Sequence, residues 1–100
     1  MFKAIILLTR RDDMTAADFQ SWWIVEHAPL AAQLPGVRRI VFNAVADADG
    51  VDGVSELWFD TRAAFDLAYA TDLGKQVAAD SMAHVSGRIR LFVDERIIVA

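Results

Sequence analysis

Cysteine is absent from this chain of 100 residues, and its absence excludes several classes of protein. Without thiols there is no disulfide framework, no thiolate nucleophile and no cysteine-ligated zinc or iron–sulfur centre. Glycine and proline are scarce, with five and two residues, and no repeat, linker or low-complexity segment is present. The chain also lacks a glycine-rich phosphate loop, a G-x-S-x-G turn and an H-E-x-x-H helix. The chemistry of those motifs is therefore not expected.

Positive charge and long apolar runs are also lacking. Ten Lys and Arg residues stand against 14 Asp and Glu, which gives a net charge of −4 and a pI near 4.9. Binding to a phosphate backbone needs clustered Lys and Arg, so a nucleic-acid partner is not expected. The apolar run near the N-terminus extends only from Ala4 to Leu8, and no small-residue cleavage site follows it. We therefore expect neither a signal peptide nor a membrane span, and a cytoplasmic protein.

Apolar side chains are abundant, since hydrophobic residues make up 55% of the sequence. This content is too high for a disordered chain and heavy for the core of one domain, which we expect to span residues 1–100. A chain of this length buries only about 60–70% of its unfolded surface. We therefore expect a second apolar surface, most simply an interface between subunits.

The spacing of apolar and turn-forming residues predicts the element order β-α-β-β-α-β. Thr15 has the position of a helix N-cap, Asp18 completes a capping box, and Pro35 and Gly36 end the helix. This order is that of the ferredoxin-like α+β fold, in which helices cover one face of a four-stranded antiparallel sheet. The predicted strands are 2–10, 37–45, 54–60 and 88–99, with a hairpin loop at 47–53; the predicted helices run from Thr15 to about Leu34 and over 62–70 and 73–85, the last ended by Gly87.

Two of the predicted strands are apolar on both faces. Ile5 and Leu7 alternate with Ile6 and Leu8 in the first strand, and Trp58 lies between Leu57 and Phe59 in the third. Helices on one side leave the other face uncovered, and a second sheet packed against it would bury both. The sequence therefore predicts a homodimer formed through the sheet face, a dimeric α/β barrel.

His27 is the first candidate functional residue. On a regular helix Glu26 falls inside the apolar stripe of the first helix and His27 at its edge, one turn below Trp22 and Trp23. Pro29 removes a backbone donor, which predicts a kink or restart beside His27 and an opening for a pocket. In the alternative interpretation, His27 satisfies a loosened carbonyl or pairs with Glu26 at the rim of the core.

Asp80 and His84 form a second candidate, four residues apart on the late helix. This spacing allows a carboxylate to orient an imidazole for general acid–base catalysis. It equally describes an ordinary pair on a helix surface. The two histidines, His27 and His84, are weak grounds for a metal site, and none is expected.

Aromatic residues lie on several elements that should meet around one space. Such walls suit a flat, apolar ligand, although most aromatic residues belong to the core of a domain. The candidate ligand-binding residues are Phe19, Trp22, Trp23, Trp58 and His84. Five charged residues lie at positions on the predicted strands: Arg10, Arg39, Glu56, Arg88 and Arg90. They mark the mouth of a barrel or form ion pairs at an interface, or, in the alternative interpretation, they belong to a solvated edge of the sheet.

A family resemblance rests on motifs spread along the chain. They are Phe19-x-x-Trp22, Glu26-His27-Ala28-Pro29-Leu30, Leu34-Pro35-Gly36-Val37, Glu56-Leu57-Trp58-Phe59-Asp60, Asp80 and Val93-Asp94-Glu95. With these motifs the chain resembles the EthD family of the dimeric α/β-barrel superfamily. The resemblance implies a ferredoxin-like protomer, a homodimer, a ligand cavity between sheet and helices, and no metal or organic cofactor. It also implies catalytic roles for His27 and Asp80, whereas His84 stands where an aromatic residue is expected.

Three functional hypotheses follow. The first is a small cofactor-independent enzyme that acts on an apolar cyclic or aromatic compound, in which His27 moves a proton beside a carbonyl or lactone and Asp80 or Glu26 orients the imidazole. The second is a non-catalytic protein that binds a hydrophobic intermediate or serves an oxygenase system. The third, taken from other members of the superfamily, is haem binding through His27 or His84.

Overall fold

A computed structural model describes residues 1–100 and contains one antiparallel sheet with helices on one of its faces. The strand order is β2-β3-β1-β4, and all three neighbouring pairs are antiparallel. The predicted ferredoxin-like α+β fold is therefore confirmed. The strands are β1 (Phe2–Arg10), β2 (Arg39–Ala44), β3 (Gly53–Phe59) and β4 (Val85–Asp94). The helical segments are α1 (Ala16–Ser21), a π-helical segment (Trp22–His27), α2 (Ala28–Ala31), α3 (Arg62–Ala70) and α4 (Asp72–His84).

Threonine caps begin the helices. Thr15 Oγ1 accepts a hydrogen bond from the backbone N–H of Asp18 at 3.0 Å, and the Asp18 carboxylate accepts one from the backbone N–H of Thr15. Thr61 and Thr71 cap α3 and α4 in the same way, each through its side-chain hydroxyl. These bonds satisfy backbone donors that the first helical turn leaves free. The predicted capping box is thus present.

Element boundaries differ from the sequence prediction at several points. The first helix ends at Ala31 because the N–H groups of Gln33 and Leu34 bond to carbonyls three residues back, which tightens the chain into a turn. Strand β4 ends at Asp94, which pairs with Phe2, the first residue of β1. Gly87 does not end a helix, since it lies within β4 opposite Thr9. Strand β2 starts at Arg39, later than the predicted residue 37, and β3 starts at Gly53, one residue before the predicted start.

The two faces of the sheet have different surroundings. Ala4, Ile6 and Leu8 of β1 are buried beneath the helices, with Phe19 and Trp23 among the fully buried side chains of the core. Alternation along the strands places a second apolar set on the face that no helix covers, here called the open face. Its apolar residues are Ile5, Leu7, Val41, Val54, Trp58, Ile89, Leu91 and Val93.

Charged side chains at one end of the open face pair with one another. Lys3 Nζ lies 2.8 Å from Glu56 Oε1 and 3.0 Å from Glu95 Oε2. Trp58 Nε1 donates to Glu95 at 2.9 Å, and the Arg39 guanidinium lies 4.8 Å from the centre of the Trp58 ring. The hydrogen bond from Trp58, together with Lys3, lowers the pKa of Glu95 below its ordinary value. Lys3, Glu56 and Glu95 are therefore paired within the chain.

Gly74 allows α3 and α4 to meet closely, and Gly74→Ala is expected to destabilise the protein. A Cβ at this position would overlap the Ala68 carbonyl oxygen and lie 2.5 Å from Tyr69 Cα. Replacement of a helical glycine by alanine ordinarily stabilises a helix, whereas overpacking against backbone costs about 1–3 kcal/mol. Urea denaturation should show a lower free energy of unfolding for Gly74→Ala and little change for the exposed neighbour Lys75→Ala. A more stable Gly74→Ala protein would contradict this interpretation of the α3–α4 contact.

Candidate active site

The π-helical segment sets the direction of His27. The backbone N–H of Ala28 donates to the Trp23 carbonyl, five residues back, so residues five apart lie one above the other. His27 therefore packs below Trp22, with ring centres 5.0 Å apart, and is buried. Glu26 is exposed to solvent, so its predicted place in the apolar stripe is wrong. The prediction assumed α-helical spacing, which overlooks the extra residue per turn.

Pro29 lies in the first turn of α2, where the regular helix resumes after the π-helical segment. Proline has no backbone N–H, and the first turn of a helix is where this loss is tolerated. The predicted restart beside His27 is therefore present. Its local cause, a residue without a backbone donor, is visible in the sequence.

Asp80 of α4 holds the imidazole of His27. Asp80 Oδ2 lies 2.8 Å from His27 Nδ1, and the carboxylate also accepts a hydrogen bond from Trp22 Nε1 at 3.2 Å. A carboxylate only accepts hydrogen bonds, so Nδ1 carries the hydrogen and Nε2 is the nitrogen with a free lone pair. Two residues that are far apart in the sequence, both predicted as catalytic, thus form one pair.

His84 lies on the outer side of the same group. Its Nδ1 is 2.7 Å from the backbone carbonyl oxygen of Asp80 and 3.5 Å from Oδ1 of the Asp80 side chain. Its ring stacks on Trp22 with 4.3 Å between centres and 15° between planes. His84 therefore covers Trp22, while the Asp80 carboxylate makes its short contact with His27.

Burial is the main influence on the charge of His27. Desolvation lowers the pKa of His27 below its ordinary value of 6.5, and the hydrogen bond and the negative charge of Asp80 oppose this effect in part. The net direction is downward, so the imidazole is neutral at neutral pH. A neutral imidazole with a free Nε2 can accept a proton.

The stability of the protein is expected to fall as His27 becomes protonated. Because the pKa of His27 is lower in the folded state, the unfolded state takes up this proton at a higher pH. Well above about pH 6.5, His27 is neutral in both states and its titration does not change the free energy of unfolding. Below that pH, protonation of His27 in the unfolded state lowers the free energy of unfolding. Urea denaturation between about pH 7.5 and 5.5 should show a smaller loss of stability for His27→Asn than for the wild type. If the wild type and His27→Asn lose the same stability over this pH range, His27 is not the cause of the pH dependence.

A small cavity between the sheet and the helices has His27 in its wall. Its volume is about 20 Å³, which is room for roughly one water molecule. No acidic side chain lines it, and its polar lining includes Tyr69, Arg88 and two serines in addition to His27. The full lining is Ile6, Leu8, His27, Ala31, Phe42, Ser55, Leu57, Tyr69, Val77, Ala78, Ser81 and Arg88.

The aromatic residues predicted to bind a ligand are dispersed. Phe19 and Trp23 are 0% exposed within the core, where the Trp23 ring stacks on Phe42 at 4.4 Å. Trp22 packs against the ring of His27 and donates a hydrogen bond to Asp80. Trp58 lies across the sheet, on the open face, beside Glu95. Phe19, Trp22, Trp23 and Trp58 do not line the cavity, whereas Phe42 and Tyr69, two other aromatic residues that the sequence predicts to lie around one space, do.

The sequence did not predict Arg88 as a residue of this cavity. Arg88 pairs with Leu8 in the sheet, and Leu8 points toward the helices. Arg88 therefore lies on the covered face and not at a solvated strand edge. The signal available in the sequence was the alternation within β4, which places Arg88, Arg90 and Phe92 on the same side.

Two further features concern metals and membranes. No group of three or more His, Asp or Glu side chains is arranged to hold a metal ion. None of the helices has both the length and the apolar character that crossing a membrane requires.

Residues 11–87 match the EthD domain, so the chain belongs to the EthD family. An 11.0 kDa protein of Rhodococcus erythropolis, from the thcB–thcC intergenic region, is 29% identical over 107 aligned positions. The alignment covers 99% of both chains.

Solved structures share the fold at lower sequence identity. An EthD family protein of Bacillus halodurans has a TM-score of 0.82 and 22% identity, over 96% of this chain and 100% of that one. A dimeric ferredoxin-like protein of Thermobifida fusca has a TM-score of 0.76 and 18% identity, over 92% and 88% of the two chains. SnoaB of Streptomyces nogalater, a cofactor-independent oxygenase, has a TM-score of 0.73 and 20% identity, over 95% and 92%.

Proposed function

We propose that this protein is a cofactor-independent enzyme that moves a proton on an apolar cyclic or aromatic small molecule, by isomerisation or a related proton transfer. His27 is the general base, and Asp80 keeps its imidazole in the tautomer with a free Nε2. The observation that carries this proposal is the 2.8 Å contact between His27 Nδ1 and Asp80 Oδ2 at the wall of the cavity.

The proposed step begins with proton removal by His27. Nε2 takes a proton from a carbon next to a carbonyl, the electron pair of that C–H bond forms a C=C bond, and the π pair of the carbonyl moves to its oxygen to give an enolate. The resulting imidazolium is stabilised by the Asp80 carboxylate. It returns the proton to the same carbon, which is exchange, or to the far carbon of an enolate conjugated with a second double bond, which is isomerisation. A positioned base of this kind typically accelerates a reaction by about 10²–10⁴-fold.

The size of the cavity sets a requirement for substrate binding. A volume of about 20 Å³ is smaller than any ring, so side chains at its margin must move when the substrate enters. Tyr69 and Arg88 are only partly buried, unlike the core residues around them. Their outward movement is the opening that this proposal requires.

The family relationship supports a role with small molecules. SnoaB is a cofactor-independent oxygenase and has the same fold over nearly the whole chain. Because fold does not determine reaction, this likeness supports the general class, and the proton transfer rests on the His27–Asp80 pair.

Deuterium exchange tests the proposal whatever the product of the reaction is. The wild-type protein is incubated in D₂O with lactones, cyclic enones and phenols of one or two rings, and carbon-bound deuterium is measured by mass spectrometry. Incorporation well above the buffer rate is expected for at least one compound class. Compounds that bind the cavity without any exchange would instead favour the non-catalytic binding protein.

We also propose that the protein forms a homodimer through its open face. The exposed apolar residues there include Ile89 and Leu91, and the neighbouring charges of Lys3, Glu56 and Glu95 are already paired. A second copy can therefore cover these apolar residues while Lys3, Glu56 and Glu95 keep their partners. The dimeric ferredoxin-like protein of Thermobifida fusca, which has the same fold, supports this assembly.

A further inference from the structure

We propose that Arg88, together with Tyr69, binds an anionic oxygen of the ligand in the cavity whose wall contains His27. The predicted ligands are then not all apolar ring compounds but only those whose ring carries a carboxylate, a phenolate or an enolate. This inference rests on the proposed function for the cavity, and it adds a subsite that recognises charge.

The placement of Arg88 is unusual for a strand arginine. It lies on the covered face of β4 and lines the cavity with Tyr69 of α3, Ser81 of α4 and Ser55 of β3. Four different elements thus direct polar side chains toward one small space. Hydroxyl and guanidinium groups donate hydrogen bonds, and a guanidinium matches the geometry of a carboxylate.

Arg88 has no acidic partner within the chain. The nine ion pairs of the structure include Arg10, Arg11, Arg38, Arg62 and Arg96, but not Arg88. Burial lowers the pKa of Arg88 from its ordinary value, and the positive charge of Arg90 acts in the same direction.

Arg90 is two residues further along the same side of β4, but its surroundings differ. Its guanidinium lies 5.3 Å from the centre of the Phe92 ring, 5.4 Å from that of Phe65 and 6.0 Å from that of Tyr69, but it does not line the cavity. Arg90 is therefore the matched control for Arg88, with the same charge, strand and face.

The polar lining is complementary to negative charge. The cavity contains donors from Arg88, Tyr69, Ser55 and Ser81, and it contains no carboxylate that would repel an anion. A partly desolvated arginine without a partner gains a charge-assisted hydrogen bond when an anionic oxygen arrives. In the proposed reaction, the same donors would stabilise the enolate oxygen formed when His27 removes a proton.

Binding of charged and uncharged ring compounds tests this subsite. Benzoate and benzamide share one ring and nearly one shape, and they differ in charge. Wild-type protein is titrated with each compound by NMR, with the Arg88 Nε–Hε signal followed directly. Benzoate is expected to bind about tenfold more tightly or better, and to shift that signal. A second pair, 4-nitrophenolate and 4-nitroanisole, tells whether a phenolate is accepted as well as a carboxylate.

Variants decide whether Arg88 causes the preference. Arg88→Met is expected to remove the preference for benzoate and to change the affinity for benzamide little. Arg88→Lys should keep part of the preference for benzoate, and Arg90→Met should keep most of it. The subsite proposal is overturned if wild-type protein does not prefer benzoate, or if Arg88→Met retains the preference. These measurements need no turnover, so failure of proton transfer by His27 leaves their outcome unaffected.

Discussion

His27→Asn is expected to reduce carbon-bound deuterium incorporation by about 10²–10⁴-fold, because the variant loses the only proposed proton acceptor. Asparagine keeps an amide donor close to the position of Nδ1, so the hydrogen bond to Asp80 can be retained. The melting temperature should therefore stay near that of the wild type while the exchange rate falls. Exchange is measured in D₂O with whichever ring compound the wild-type protein deuterates.

Two variants separate a catalytic loss from a structural one. Asp80→Asn keeps the shape of the side chain but removes the charge that supports the imidazolium, so a partial loss of exchange is expected. Glu26→Gln changes the exposed neighbour of His27 and should leave the rate unchanged. An unchanged exchange rate in His27→Asn would remove His27 from the mechanism.

Leu91→Glu is expected to convert the protein from a dimer to a particle of 11.1 kDa. Leu91 lies on the open face opposite Ile5 and is 46% exposed in the single chain. A glutamate there would be buried without a partner in the dimer, which costs several kcal/mol per subunit. Sedimentation velocity at micromolar concentration measures the change, and far-ultraviolet circular dichroism checks that the fold is kept.

Leu67→Glu provides the control for that experiment. Leu67 is 70% exposed on α3, away from the sheet, so the same substitution should leave a dimer intact. If the Leu91→Glu protein sediments like the wild type, the open face is not the interface between subunits.

The fold was predictable because its signals are local. Thr15 and Asp18 define a helix start within four residues, and the alternation of Ile5, Ile6, Leu7 and Leu8 defines a strand with two apolar faces. The end of β4 was not predictable in this way. Strand β4 ends opposite Phe2, the first residue of β1, and pairing with another strand leaves no local signal in the sequence of β4.

The sequence identified residues of the candidate site but not how they are arranged in space. His27 stood out at the edge of an apolar stripe, and Asp80 stood out by its spacing to His84. The 2.8 Å contact between His27 and Asp80 depends on the packing of α4 against the first helix, which the sequence does not show. A tryptophan such as Trp58 is typical of a ligand pocket, but strand alternation places it on the face of the sheet opposite the cavity. Arg88 was overlooked because an arginine on a strand usually points to water.

The π-helical segment affects how this chain should be aligned with its relatives. A wide turn of this kind holds one residue more than a regular α-helical turn. A homologue lacking one position between Trp22 and His27 would have its histidine four residues after the tryptophan, and a regular α-helix would place it on the same side. The histidines of the two proteins would then correspond across a one-residue gap, and an ungapped alignment would pair the wrong residues.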